Sequence, residues 1–239
     1  MSDTFDFEGV FDEDYLYFYD EMLAERTPAE VDQIAALLGQ RDHVLDCPCG
    51  HGRIANALAE RGYRVTGVDR TQLFLERARA DATERGADVE YVHGDMRDLP
   101  WREEFDALLN WFTSFGYFDD DTNRAVLRGF HHALRPGGRL VMELQNPPRL
   151  FRILLPVTYL RRGDDLAFDI HAMDWETWRI GTQRVVIRDG RARTTRFAVR
   201  IYSFPELKSE LERAGFADVR PAVEPNLDNR LVVVAERPW

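Results

Sequence analysis

The sequence predicts one α/β domain: a mostly parallel seven-stranded sheet with helices on both faces, and an antiparallel β insert before the last helix. Two observations predict this fold. From residue 43, short β-rich apolar runs alternate with helical segments, as in a parallel sheet with crossover helices. After residue 146, short runs alternate polar and apolar residues, as in antiparallel strands. The 239 residues suffice for one large domain with its own core.

The first 39 residues are predicted to form an N-terminal helical lid (residues 1–39). In "TPAEVDQIAALLG", Thr27 is expected to cap a helix with Pro28 in its first turn, ending before Gly39. The acidic segment before it is interleaved with Phe and Tyr. This mixture favours a helix docked by one face over a solvated tail.

The next segment, residues 40–146, is predicted to be the core of the sheet. Its helices are expected at residues 53–61, 71–85 and 122–134, the last stopped by "RPGG". The strands are expected in "HVLDCP", "YRVTGVD", "DVEYVHGD", "FDALLNWF" and "RLVMEL".

Residues 147–203 are predicted to form the antiparallel insert. Its strands are expected in "LAFDIHAMD", "WETWRIG", "TQRVVIRDG" and "RTTRFAVRIYS", with a tight hairpin at "RDGR". In the remaining segment, 204–239, the helix is expected to follow a capping box of Ser203 and Glu206. Two closing strands are expected in "DVRPAVEP" and "NRLVVVAERP".

Composition excludes several classes of function. The net charge of −11 opposes contact with nucleic acid and favours a cationic or neutral small-molecule acceptor. No apolar run suits a membrane helix and no secretory signal pattern is visible, so we expect a cytoplasmic protein without membrane contact. The spacing of Cys47 and Cys49 fits neither a disulfide nor a metal site. Formation of a homodimer is left open.

The loop after the first strand, "VLDCPCGHGRIA", predicts a ligand site. Gly50 and Gly52 allow close approach of backbone, and the next helix offers free N–H groups. Asp69 ends the second strand, where ribose hydroxyls would lie. Asp46 precedes the glycines, and its charge would repel a pyrophosphate but attract an ammonium and a sulfonium. The pattern therefore favours S-adenosylmethionine over a dinucleotide.

Several motifs resemble, in order and spacing, those of class I S-adenosylmethionine-dependent methyltransferases. They are "DCPCGHG", "VTGVD", "GDM" and "FDALLNWF" followed by "LRPGGRLVMEL", across roughly residues 42–145. Pro48 departs from the glycine that the family often has there. The resemblance implies a Rossmann-like fold, S-adenosyl-L-methionine as cofactor, S-adenosyl-L-homocysteine as product and a small-molecule acceptor.

The resemblance also implies roles for individual residues. The cofactor contacts it implies are Asp46, Cys49, Gly50 and Gly52 at the methionine half, Asp69 with Arg70 at the ribose, Asp95 and Met96 at the adenine, and Asn110 with Trp111 near the sulfonium. Tyrosine-rich N-terminal helices in such enzymes fold over the cofactor, so Tyr17, Tyr19 and Arg26 are candidates for its carboxylate.

Two residues are candidates for catalysis, although in-line methyl transfer depends mainly on positioning. "FTSFGYF" resembles a stretch of amino-sugar N,N-dimethyltransferases and places Tyr117 where those enzymes carry a histidine. His171 lies in the insert, with Asp169 on the same strand face as a base and its orienter would be. The plainer interpretation of Tyr117 is an aromatic residue in a pocket wall, and that of His171 is a residue on a solvent-exposed strand.

Two other functions remain open from the sequence. An NAD-dependent oxidoreductase is supported by "GHGRIA" and Asp69 but opposed by Asp46 and "GDM". A non-catalytic, regulatory protein that binds S-adenosylmethionine would carry the same motifs.

Overall fold

The larger sheet of the computed structural model, which describes residues 7–239, has seven strands. Their order is β3-β2-β1-β4-β5-β11-β10; β1 to β5 run parallel, and β11 is antiparallel to both of its neighbours. The predicted fold class is therefore confirmed. The strands are β1 His43–Asp46, β2 Arg64–Asp69, β3 Val89–His93, β4 Phe105–Asn110, β5 Leu134–Leu144, β10 Ala217–Pro221 and β11 Leu231–Glu236.

Helices cover both faces of this sheet. Successive residues of β4 show why, because Leu108 packs into one buried apolar cluster and Leu109 into another on the opposite face. The first cluster includes residues of α5 and α7, and the second includes residues of α2, α3 and α4. The helices are α1 Phe7–Val10, α2 Glu13–Leu38, α3 Arg53–Ala59, α4 Gln72–Arg85, α5 Asp120–Ala133, α6 Pro147–Ile153 and α7 Phe204–Arg213.

The predicted helix start at Thr27 was wrong. α2 is one continuous helix from Glu13, capped by the Asp12 side chain, and Pro28 lies inside it. The Thr27 hydroxyl does not cap; it donates to the Leu23 carbonyl at 2.8 Å. Leu23 and Phe18 are buried, and packing of this earlier half offsets the hydrogen bond that Pro28 cannot make. The predicted end before Gly39 is confirmed.

The insert forms a separate four-stranded antiparallel sheet in the order β6-β7-β8-β9. Its strands are β6 Val157–Arg162, β7 Asp165–Asp174, β8 Arg179–Arg188 and β9 Arg191–Arg200. The hairpin at Asp189 and Gly190 is confirmed, with φ values of 52° and 71°. The prediction missed β6, an edge strand whose residues are nearly all exposed and so show no alternation of burial. It also placed a strand in "WETW", which is the turn before β8.

The Ser203 N-cap of α7 is confirmed, since its hydroxyl accepts the Glu206 N–H, whereas the Glu206 carboxylate pairs with Arg200 and does not complete the predicted capping box. None of the described helices is both long enough and apolar enough to span a membrane.

Candidate active site

The carboxyl ends of β1, β2 and β4 open into a cleft. Asp46 and Asp69 are the last residues of their strands, and Trp111 directly follows β4. Strand ends of a parallel sheet meet at one edge, which brings these side chains together. Of the predicted cofactor contacts, the cleft is lined by Asp46, Cys49, Gly50, Asp69, Arg70, Asp95, Met96 and Trp111.

Asp46 is a carboxyl of the cleft whose pKa is strongly raised. Burial raises the pKa of Asp46 to about 8; Arg53 opposes the shift and Asp69 adds to it. A carboxyl that is costly to ionise in the free protein gains most from a cation placed beside it. The site therefore suits a ligand with a positive group at this end.

Hydrogen bonds connect the glycine loop to the carboxylate of Asp69. The Asp69 carboxylate accepts the N–H of Gly50 at 2.9 Å and of Thr71 at 2.8 Å. Gly50 has a φ of 57°, and nothing lies within 4 Å of a Cβ built there. A Cβ on Gly52 would instead lie 2.3 Å from the Tyr91 hydroxyl oxygen. Gly50 thus faces the cleft, whereas Gly52 packs against β3 behind it.

At the far end of the cleft, Asp95 is held by arginine. Arg97 donates to its two oxygens at 3.0 and 2.6 Å, and Arg70 lies 3.6 Å away. Burial by itself would raise the pKa of Asp95, but the hydrogen bonds from Arg97 more than offset it and lower the pKa. Asp95 is therefore an ionised acceptor beside Met96.

Besides Gly52, four predicted contacts do not line the cleft. Asn110 is fully buried and its amide donates to the Cys47 carbonyl at 2.8 Å. Arg26 pairs with Glu30 at 2.7 Å. Tyr19 lines a second cavity, where its hydroxyl accepts from Arg184. Tyr17 points elsewhere too and donates to Asp165 at 2.9 Å.

Arg53, which the sequence analysis did not single out, lines the cleft where Arg26 was expected. It also contacts Glu30 and donates to the Thr27 hydroxyl at 3.2 Å. Its position directly after Gly52, at the start of α3, was the available signal, because helix N-termini favour anionic ligands.

The second cavity, which we call the chamber, has a volume of about 440 Å³ and lies between the sheet edge and the insert. Residues of the N-terminal segment and of the loop after β4 line both cavities. The shared residues are Phe11, Tyr15, Phe112, Ser114 and Tyr117. A molecule in the cleft and a molecule in the chamber would therefore meet at this junction.

His171 lines the chamber but not in the predicted pairing. Its Nδ1 lies 3.0 Å from the Thr182 hydroxyl and its Nε2 lies 3.2 Å from that of Thr158. Asp169 accepts from Arg184 at 2.7 Å on each of its oxygens instead. The expectation that Asp169 orients His171 was wrong, because the cross-strand partner of Asp169 is Arg184 and that of His171 is Thr182. Burial lowers the pKa of His171.

Tyr117 lies at the junction of the two cavities. Burial raises the pKa of Tyr117, with nearby Tyr15 adding to the shift. Its hydroxyl is therefore protonated at neutral pH and can donate or accept a hydrogen bond, but it is not an available base.

The loop after β4 is conformationally strained where the cavities meet. Phe112 and Thr113 have φ values of 60° and 59°, which are unfavourable for an aromatic and a β-branched residue. Glu143 of β5 holds both: its carboxylate accepts the Phe112 N–H at 2.8 Å and its carbonyl accepts the Thr113 N–H at 3.0 Å.

Residues 44–138 match the family described as a methyltransferase domain. The match covers the glycine loop, Asp69, Asp95 and the strained loop. This segment of the chain is therefore similar to a methyltransferase domain. The predicted recognition is confirmed, and the dinucleotide alternative loses its support. S-adenosyl-L-methionine is the cofactor of this class.

Several of the curated proteins similar to the chain are methyltransferases as well. The cypemycin N-terminal methyltransferase of Streptomyces sp is 34% identical over 150 residues, which are 60% of each chain. The demethylmenaquinone methyltransferase of Clavibacter sepedonicus is 36% identical over 137 residues, 56% of this chain and 49% of the relative. The chain thus spans about half to three fifths of the length of these relatives.

Solved structures share the fold over nearly the whole chain. An S-adenosylmethionine-dependent methyltransferase from Clostridium acetobutylicum has a TM-score of 0.76 at 15% identity, covering 95% of this chain and 98% of its own. CalS10, an amino pentose methyltransferase from Micromonospora echinaspora, has a TM-score of 0.69 at 23% identity, covering 96% and 99%. At these identities the likeness concerns the fold, including the insert.

Proposed function

We propose that the protein transfers the methyl group of S-adenosylmethionine to a small-molecule acceptor bound in the chamber. The observation that carries the proposal is that the cleft and the chamber meet at one junction, lined by Phe112, Ser114 and Tyr117. A donor in the first cavity and an acceptor in the second would be held end to end, as in-line displacement requires.

The residues of the cleft fit the cofactor. Asp46 supplies a carboxylate for the α-ammonium, and the Asp69 oxygens, each holding one N–H, keep lone pairs for ribose hydroxyls. Asp95 is an ionised acceptor for an exocyclic amine, next to Met96. Arg53 lines the cleft and can donate N–H groups to a carboxylate, although its charge is paired with Glu30. When bound, the cofactor supplies an electrophilic methyl group on a positive sulfur.

In this proposal, α1 and the start of α2 cover the cleft and the chamber. Phe11 and Tyr15 line both cavities, so the segment from α1 into α2 acts as a lid. It is tied to the insert, because Asp14 pairs with Arg188 at 3.0 Å and with Arg193 at 2.7 Å.

An amine is the acceptor that the chamber supports best. No carboxylate lines it among the residues that the structure describes, and Tyr117 stays protonated. Little there can remove a proton from a hydroxyl, whereas an amine attacks in its free-base form without a base. A hydroxyl acceptor is the second candidate, since His171 is neutral at pH 7 and faces the chamber.

Two measurements test the proposal. Calorimetry with S-adenosylhomocysteine should show binding with a Kd in roughly the micromolar range. Incubation with cofactor labelled in its methyl group, a metabolite extract and the protein should give a labelled small molecule detected by mass spectrometry. Absence of binding would exclude the proposed activity, and binding without any labelled product would favour the regulatory alternative.

A further inference from the structure

The charged lining of the chamber is entirely basic. Arg149, Arg184 and Arg230 line it, and no Asp or Glu does within the described part of the chain. The whole chain, in contrast, has a net charge of −11. The chamber therefore carries an electrostatic preference of its own, opposite in sign to that of the protein.

Two of the three arginines are neutralised inside the protein. Arg184 is paired with Asp169 at 2.7 Å, and both side chains are largely buried. Arg230 is paired at 3.0 Å with Glu143, which is also buried. Pairs of this kind hold the cavity wall in place and leave little charge for a ligand.

Arg149 of α6 differs from the other two. Its Nε donates to the Asp228 carbonyl at 3.2 Å, and no ion pair joins it to a carboxylate of residues 9–239. The nearby carboxylate of Asp228 is taken by Arg152, at 2.6 Å on the same helix. Arg149 is half-buried, so its guanidinium holds a positive charge at the chamber wall that the protein does not balance.

An apolar surface adjoins this charge. Leu150, Ile180, Val199 and Ile201 form a buried cluster that lines the chamber. The combination matches a ligand with an apolar body and an acidic group, since a guanidinium binds carboxylate and phosphate through two parallel hydrogen bonds.

We propose that the acceptor carries an anionic group, a carboxylate or a phosphate, and that Arg149 binds it. The inference rests on the proposed function, because it takes the chamber to be the acceptor site. It replaces the expectation of a cationic or neutral acceptor that the whole-chain charge suggested. Positive charge at the wall and on the cofactor's sulfur also lowers the pKa of an acceptor amine and so favours its free base.

The test uses small probes that share one apolar body. Phenyl phosphate, benzoate, benzyl alcohol and benzylamine are titrated into protein saturated with S-adenosylhomocysteine, and binding is followed by ligand-observed NMR and thermal shift at constant ionic strength. We expect one or both anions to bind, and the neutral and cationic probes to bind at least about 5-fold more weakly. The stronger anion identifies the acidic group as phosphate or carboxylate.

Variants link the binding to one side chain. Arg149→Gln should weaken anion binding roughly 10-fold, the loss of one charge-assisted contact, and Arg149→Lys should restore part of it. Arg161→Gln, at an exposed arginine of β6 outside the chamber lining, should leave it unchanged. Equal binding of all four probes, or anion binding unaffected by Arg149→Gln, would overturn the inference. S-adenosylhomocysteine binding is measured in the same samples, so failure of the proposed function would show separately.

Discussion

Glu143 and Arg230 form an ion pair directly beneath the loop that joins the two cavities, with 3.0 Å between Oε1 and Nε. The other carboxylate oxygen of Glu143 accepts the Phe112 N–H, and Arg230 also donates to the Thr113 hydroxyl at 3.1 Å. The pair thus holds two residues with positive φ in place. Strain of this kind persists only where the surroundings enforce it.

Replacing Glu143 should therefore lower the free energy of unfolding by more than the removal of a surface ion pair does. We expect Glu143→Ala to lower the free energy of unfolding by about 2–4 kcal/mol, because it leaves the half-buried Arg230 without its partner and frees the strained loop. Urea denaturation measures the loss. The control is Glu60→Ala, whose partner Arg85 lies 3.5 Å away on the surface and which should cost under about 1 kcal/mol. Similar losses in the two variants would contradict this account of the loop.

Gly52 offers a second test of packing behind the cleft. Gly52→Ala should destabilise the protein by about 2–4 kcal/mol, since the new Cβ would meet the Tyr91 hydroxyl at a φ of 78°. Gly86→Ala is the matched control, with a φ of 67° in the same left-handed region and nothing within 4 Å, and should cost only about 1 kcal/mol. Adding Tyr91→Phe to Gly52→Ala should recover part of the loss. Strictly additive effects would show that the two residues do not clash.

The raised pKa of Asp46 predicts that cofactor binding depends on pH. Because its pKa is raised to about 8, the free protein must release a proton there when a ligand ammonium binds near pH 7. Affinity for S-adenosylhomocysteine should then rise with pH up to about 8, and calorimetry in buffers of different ionisation enthalpy should show the released proton. Asp46→Asn should remove this dependence and weaken binding roughly 10- to 100-fold.

The same carboxyl affects stability in the opposite direction. The unfolded chain ionises Asp46 near its ordinary value of 3.8, whereas the folded, ligand-free protein holds the proton up to about pH 8. Ionisation therefore favours unfolding increasingly as the pH rises between these values. We expect Asp46→Asn to be more stable than the natural protein at pH 8 without ligand, as measured by thermal unfolding. A less stable variant would show that Asp46 serves the fold rather than the ligand.

The sequence predicted the parts of this molecule that local patterns determine. Alternating apolar runs located the parallel strands, and "GHGRIA" with Asp69 located the cleft, because strand ends of one sheet share an edge. It did not predict contacts between distant segments. The continuation of α2 through Pro28 depends on packing of Phe18 and Leu23, and the pairing of Asp169 depends on the register of β7 with β8. The charge of the chamber likewise appears only when α6, β8 and the residue before β11 come together.

The tie between the lid and the insert gives the last prediction. Asp14 lies between Arg188 and Arg193; burial alone would raise its pKa, but these two arginines lower it overall. Asp14→Asn should loosen the segment that carries Phe11 and Tyr15, and so speed dissociation of S-adenosylhomocysteine several-fold in stopped-flow measurements. Asp189→Asn is a control at the same arginine, since Asp189 lies 3.8 Å from Arg188 and is largely exposed. Added salt should reduce the difference in dissociation rate between the natural protein and Asp14→Asn, because these charges are only partly buried and salt screens them. An identical dissociation rate in both variants would mean that the segment covers the cleft without controlling release.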